Sequence, residues 1–229
     1  MDTALKPRPA AATRTVEVHM NLLEGNDRQA ARNRRRFRDA GILALNLVSS
    51  PGAGKTALLE RTLSEFGFAT HCAAIVGDLA TDNDARRLGR FGAPVRQITT
   101  GSACHLDAGM VARAADSLDL YGVRVLFIEN VGNLVCPASF DLGEGLRVVL
   151  LSCAEGEDKP LKYPPIFKSA HVVILTKIDV AGVLGFDRKA AAENIRRIAP
   201  QARLIELSAR TGEGIAAWYE LLGSPPGRE

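Results

Sequence analysis

A chain of 229 residues with 46% hydrophobic and 24% charged side chains can bury a full core and has the composition of an ordinary globular protein. No apolar run approaches the roughly 18–20 residues needed to cross a bilayer, and Met1–Pro7 lacks the apolar core of a secretory signal, so a cytoplasmic protein outside the membrane is expected. Much of the net charge of +3 lies in Arg32, Arg34, Arg35, Arg36 and Arg38 on one predicted helix, which reads as a solvated or interface-forming face rather than a nucleic-acid patch. Residues 1–15, rich in Pro, Ala, Arg and Thr, are expected to lack fixed structure, and 16–41 to form a helical appendage. The helical pattern runs from Met20 to Asp39 with Leu22, Leu23, Ala30 and Phe37 on the buried side, and Gly41 ends it.

Residues 42–225 alternate between short apolar runs and amphipathic stretches. The predicted strands are Ile42–Val48, Cys72–Val76, Val95–Ile98, Val123–Ile128, Leu146–Ser152, Val172–Leu175 and Arg203–Leu207. Their near-continuous Val, Ile and Leu content suits strands covered on both faces. Predicted helices are Lys55–Phe66, Asp84–Phe91, Leu106–Leu118, Arg188–Ile198 and Ile215–Leu222. The alternation gives an α/β fold, a mainly parallel doubly wound sheet with helices on both faces, whose ligand-binding loops follow the strands.

The first such loop is Ser49-Ser50-Pro51-Gly52-Ala53-Gly54-Lys55-Thr56, between a strand and a helix. Gly52, Ala53 and Gly54 let backbone N–H groups turn toward phosphate oxygens, and Ala57 continues the helix whose N-terminus favours negative charge. Lys55 neutralises phosphate, and the Thr56 hydroxyl can ligate Mg²⁺. This is a P-loop, with Ser49 in place of its first glycine. Asp78 and Glu129, each at a strand's carboxyl end, are the expected partners of the Mg²⁺ site, with Asp82 and Asp84 as alternatives to Asp78. In Thr176-Lys177-Ile178-Asp179 the carboxylate can accept both N1–H and N2–H₂ of guanine, with Lys177 over the purine or against the phosphate loop. Ser208 and Ala209, after the last strand, can offer backbone N–H groups to guanine O6. The set implies a GTP/GDP-binding protein and a GTPase, slow because Asn133 stands where a catalytic glutamine would follow Gly132.

A bare GTPase has no use for Cys104-His105 or for Cys136-Pro137. Both fall in polar, glycine-bearing loops, whereas Cys72 and Cys153 sit in or beside strands and read as core. Thiolate and imidazole suit zinc, nickel or copper, and three protein ligands leave a site to be completed by water, a backbone group or a second subunit. Cys136 lies seven residues past Glu129, so a loop that responds to the γ-phosphate would carry the metal ligand with it.

These residues resemble the HypB family, GTPases that assist nickel insertion during [NiFe]-hydrogenase maturation. The likeness runs through Asn46–Thr56 with its serine in place of the first glycine, Gly77-Asp78, Cys104–Asp107, Glu129–Pro137, Thr176–Asp179 and the helix residues Asn26-Asp27 and Asn33-Arg34. It implies nickel delivery, a homodimer favoured by GTP or metal, and work with a HypA-like nickel chaperone on the hydrogenase large-subunit precursor. The family's N-terminal Cys-x-x-Cys-Gly-Cys or histidine-rich stretch is not in this sequence, which leaves only the metal site tied to the nucleotide domain. Two other readings remain at this stage: a urease-type nickel GTPase, expected to place Cys-Pro-His in one loop, and a zinc-stabilised GTP switch that delivers no metal.

Overall fold

The structure, a computed structural model, describes residues 11–65 and 71–223, with side chains from Leu22 onward. The expectations for residues 1–10, for Phe66 and for the last residues up to 225 lie outside the described residues. Helix α1 (Ala11–Asp39) starts ahead of the expected Met20, so Ala11–Thr15 are helical; no Gly or Pro interrupts the chain from Ala11 to Glu24. Ala30 and Phe37 are buried as expected, whereas Leu22 is 64% exposed, because the covered face of α1 begins only at Asn26. Gly41 closes the helix at φ +69°, with its N–H on Arg38 O at 2.9 Å and that of Ile42 on Phe37 O at 2.8 Å.

Seven strands follow: β1 (Leu43–Ser49), β2 (Cys72–Asp78), β3 (Val95–Thr99), β4 (Val125–Gly132), β5 (Leu146–Ser152), β6 (Val172–Thr176) and β7 (Arg203–Glu206). All pair in parallel, in the order β3-β2-β4-β1-β5-β6-β7. The longer helices match the sequence reading to within two residues at each described end: α2 (Lys55–Glu65), α3 (Asn83–Gly89), α4 (Ala108–Asp116), α8 (Arg188–Ile198) and α9 (Ile215–Gly223). Three short helices were not expected: α5 (Lys159–Lys162), α6 (Pro164–Lys168) and α7 (Ala181–Leu184).

One face of the sheet presents Leu45, Leu47 and Phe127 to α2, α3 and α9, where Trp218 Nε1 donates to Thr62 Oγ1 at 2.9 Å and joins α9 to α2. On the other face, Ala44, Leu126 and Ile128 meet α1 and α4. Farther along that face, Val149, Leu151 and Val173 meet α6 and α8. No described helix is long and apolar enough to cross a membrane. Central β1 delivers its carboxyl end between β4 and β5, and the loop into α2 begins there. Functional residues therefore cluster over the strands' carboxyl ends.

Candidate nucleotide and metal site

The phosphate loop runs from Ser49 into α2, and Gly52 and Gly54 take φ of +73° and +101°, a conformation that side chains with a Cβ rarely adopt. Lys55 is buried and its ammonium donates to Ser49 Oγ at 2.9 Å, so the serine that replaces the first glycine braces the lysine. Burial lowers the Lys55 pKa, and the negative charge of Glu129 opposes that fall. Lys177, in left-handed backbone at φ +59°, donates to Gly52 O at 2.7 Å, and the Thr176 hydroxyl donates to Ala53 O at 2.7 Å. Both tie the loop to the carboxyl end of β6. Ala57 lies exposed in the first turn of α2.

Glu129 was expected just beyond a strand ending at Ile128. Instead β4 continues to Gly132, pairing with β1 as far as Ser49↔Gly132, so Glu129 is a strand residue with only 4% exposure. Its Oε1 accepts the Thr56 hydroxyl at 2.7 Å, while Oε2 is buried with no hydrogen-bond partner. Burial is the largest cause raising its pKa, to about 7, against the pull of Lys55 and of the Thr56 hydroxyl. Asp78 is the last residue of β2; its Oδ1 accepts the N–H groups of Ala80 at 2.9 Å and Thr81 at 2.8 Å, which hold the carboxyl below its usual range. Of the alternatives, Asp82 pairs with Arg86, and Asp84 with Arg87, which also grips Glu60 at 2.6 Å.

The Asp179 side chain is 8% exposed, and Arg210 places Nε at 2.9 Å and Nη2 at 2.5 Å on its Oδ2. The Ser208 hydroxyl, then Arg210, hold this carboxyl below its usual range. The Ser208 N–H already donates to Glu213 O at 2.9 Å, whereas Ala209 stands at the turn with its carbonyl on Arg61 at 3.1 Å.

On the far side of β4 the structure brings Cys104, His105 and Cys136 together, with one ligand atom from each lying within 4.8 Å of the others. The thiols are 2.7 Å apart without a disulfide, and Cys104 Sγ is 3.8 Å from His105 Nδ1. The Cys136 thiol, then burial, raises the Cys104 pKa; burial lowers that of His105, against Asp107, and so favours the neutral imidazole a metal requires. Cys72 and Cys153 are 3% and 2% exposed core residues. Helix α4 starts at Ala108 rather than Leu106, because Asp107 caps it by accepting the Met110 N–H at 2.6 Å.

Several residues to which the sequence assigned no bracing role hold these pieces together. Asn133 donates from Nδ2 to Cys104 O at 3.1 Å and accepts the Val135 N–H at 2.9 Å, joining the two cysteine loops. Asn130 Oδ1 accepts the Leu106 N–H at 3.2 Å, and its Nδ2 donates to Asn46 Oδ1 at 3.3 Å. Asn46 in turn donates to Glu144, which is paired with buried Arg147 at 2.9 Å. Phe140 stacks on the His105 ring with centroids 3.8 Å apart. The one signal in the sequence was amide side chains, Asn46 and Asn130, inside otherwise apolar strand runs, where a polar group must find a partner.

The sequence model of the CobW/HypB/UreG nucleotide-binding domain matches residues 43–206. The hydrogenase maturation factor HypB of Azotobacter chroococcum mcd 1 is 50% identical over 206 residues, covering 90% of this chain and 68% of that protein. The crystal structure of HypB from Archaeoglobus fulgidus superposes with a TM-score of 0.82 at 38% identity, over 87% of this chain and 97% of that one. That of HypB from Helicobacter pylori in complex with nickel gives 0.81 at 40% identity, over 86% and 93%. A P-loop on a seven-stranded parallel sheet, a Cys-His-Cys cluster behind its fourth strand and relatives of this closeness place the chain in the HypB family of hydrogenase maturation factors.

Proposed function

We propose that this chain is a GTP-binding, slowly GTP-hydrolysing metallochaperone that carries nickel for insertion into [NiFe]-hydrogenase. The observation that carries the reading is the convergence of Cys104, His105 and Cys136 beside a strand whose Glu129 reaches the phosphate loop through Thr56. Two thiols and an imidazole suit Ni²⁺, and equally Zn²⁺, as a cargo ion. Among the described residues no fourth His, Cys, Asp or Glu joins the cluster, which suits an ion that must be handed on. A homodimer favoured by GTP or metal could complete the site, and a HypA-like chaperone and the hydrogenase large-subunit precursor are the expected partners.

Gly52, Ala53, Gly54, Lys55, Thr56 and Ala57 would cradle the phosphates, and Lys177, Asp179, Ser208 and Ala209 the guanine. The orphaned Oε2 of Glu129 fits a Mg²⁺ site made with Thr56 and, at the edge, Asp78. Bound Mg²⁺ would supply charge neutralisation at the phosphates. Slow hydrolysis follows from Asn133, whose amide is committed to Cys104 O and Val135 N–H, so that it cannot orient a water without releasing the cysteine loops.

The test is Ni²⁺ binding by Cys136→Ala. Loss of stoichiometric nickel with GDP affinity unchanged supports the reading; retained nickel removes Cys136 from it. If chelation of the purified protein unfolds it, the metal is structural and the delivery role fails.

A further inference from the structure

Helix α1 has no part in the chemistry proposed above, yet it buries two amides against the metal loops. Asn33 is 2% exposed and Asn26 8% exposed. Asn33 Nδ2 donates to the carbonyls of Ala108 at 2.8 Å and Leu142 at 2.9 Å. Asn26 Oδ1 accepts the Ala108 N–H at 2.9 Å, and its Nδ2 donates to Asp141 O at 2.8 Å. Each amide thus bridges the same two segments: Ala108, three residues after His105, and 141–142, directly after Phe140.

Phe140 in turn stacks on His105, at 3.8 Å between centroids and 29° between planes. The path therefore closes: from His105 along the chain to Ala108, across the two amides, back one residue to Phe140 and onto the face of the imidazole. There is no slack in it. A Cβ at Gly143 would collide with Ala30 O and sit 2.5 Å from Asn33 Cβ, so α1 presses directly on the 141–143 backbone. Ala108 is fully buried, and its N–H belongs to the first turn of α4, which lacks an intrahelical acceptor; Asn26 supplies one that water cannot. Docking alone could be met by apolar contacts. Four hydrogen bonds to two backbone segments instead fix a distance and an orientation.

We infer that Asn26 and Asn33 are positioning residues for the imidazole arm of the metal site, holding His105 against Phe140 so that it meets the two thiols. This rests on the metal reading above. Asn133 joins the two cysteine loops through Cys104 O and the Val135 N–H, whereas Asn26 and Asn33 hold the segments that follow His105 and Phe140.

The test uses the full chain with GDP bound: Ni²⁺ affinity by competition with a chromophoric chelator, and X-ray absorption to count imidazole ligands. Asn33→Ala should weaken Ni²⁺ binding about 10–100-fold, the usual range for groups that orient a metal ligand, with the imidazole contribution lost and GDP affinity unchanged. His105→Ala should weaken it at least as much. The double variant should match His105→Ala alone, because Asn33 acts through that ring. Wild-type affinity and imidazole count in Asn33→Ala would overturn the inference, as would a further loss in the double variant. Should Asn33→Ala fail to fold, Phe140→Leu, which removes the platform without touching α1, must show the same loss of imidazole; an intact imidazole signal there also overturns it. If His105→Ala itself binds nickel normally, the metal reading falls and this inference with it. If only Asn33→Ala is silent, the metal reading stands.

Discussion

Replacing Asp179 by Asn puts the proposed guanine recognition at risk in a measurable way. The carboxylate is almost enclosed, with 8% of its side chain exposed, and the Ser208 hydroxyl and Arg210 keep it ionised. Hydrogen bonds to a charged acceptor contribute about 1.5–3 kcal/mol each. Asparagine keeps one acceptor oxygen and turns an N–H₂ toward a guanine donor, so one such bond is lost and a donor is left facing a donor. Together these cost about 3–4 kcal/mol, or about 10²–10³-fold in GDP affinity. The broken pair with Arg210 adds little, since that guanidinium is 73% exposed.

The assay is displacement of a fluorescent guanine nucleotide, run beside xanthine nucleotides. Xanthine carries a carbonyl where guanine has its 2-amino group, so the asparagine N–H₂ meets an acceptor and affinity for XDP should rise while that for GDP falls. A variant that is merely damaged would lose both. The sign with pH is also determined. A depressed folded pKa keeps the carboxylate charged throughout neutral pH, so GDP preference should be flat from about pH 5 to 8 and fall only as the medium becomes acidic enough to protonate it. Near-wild-type GDP affinity in Asp179→Asn, or no gain for XDP, would refute the base assignment.

Gly143→Ala should destabilise the fold by about 2–4 kcal/mol in urea titration, because φ is +86° and the new Cβ meets α1 at Ala30, Asn33 and Arg34; an unchanged midpoint would mean that α1 is not seated there. Maleimide at pH 7.5 should label Cys104 in the native protein and spare Cys153, which is buried with its pKa pushed up to about 11; Cys153 should react only on unfolding, and bound Ni²⁺ should protect Cys104. Mass spectrometry of tryptic peptides reads both.

The sheet was legible because each strand is covered on both faces and so reads as an unbroken apolar run; six of the seven sit within two residues of the expectation. The fourth ran on, since pairing with β1 carries β4 through the polar Glu129 and Asn130. Two of the three short helices, α5 and α6, escaped because Pro160, Pro164 and Pro165 look like breakers, yet proline is tolerated in a helix's first turn, where its missing N–H has no partner anyway. Cys104, His105 and Cys136 were legible as donor types stranded in polar loops. Asn26 and Asn33 stood out only through the family likeness and their role did not, because their partners lie 75 to 115 residues away and are backbone groups, which leave no residue-type signature. The five clustered arginines from Arg32 to Arg38 divide similarly: Arg34 reaches Asp141 at 2.7 Å and Arg36 reaches Asp116 at 2.5 Å, so part of what read as a solvated or interface-forming face is an intramolecular contact.

The placement of β4 gives the proposed coupling between nucleotide and metal a physical route. Side chains alternate across a strand. Glu129 faces the phosphate loop, where it takes the Thr56 hydroxyl, and Asn130 faces the other way, onto Leu106 N–H next to His105. At the strand's end Gly132 lies so close to the phosphate loop that a Cβ would come within 2.9 Å of Pro51 Cα, and Asn133 immediately afterwards joins both cysteine loops. A second contact runs through β2: a Cβ on Gly77, the neighbour of Asp78, would sit 2.8 Å from the Leu106 side chain. Any movement of the phosphate loop that displaces Pro51 or Glu129 must therefore shift Asn130 and Asn133 as well, since they share one backbone rod. The imidazole is held from two directions: its chain neighbours Cys104 and Leu106 bond Asn133 and Asn130, and Ala108 and Phe140 tie it to α1. A nucleotide-driven shift would then reach Cys136 through Asn133 and be resisted at His105 by its ties to α1, changing the geometry of the three-ligand set without unfolding either loop.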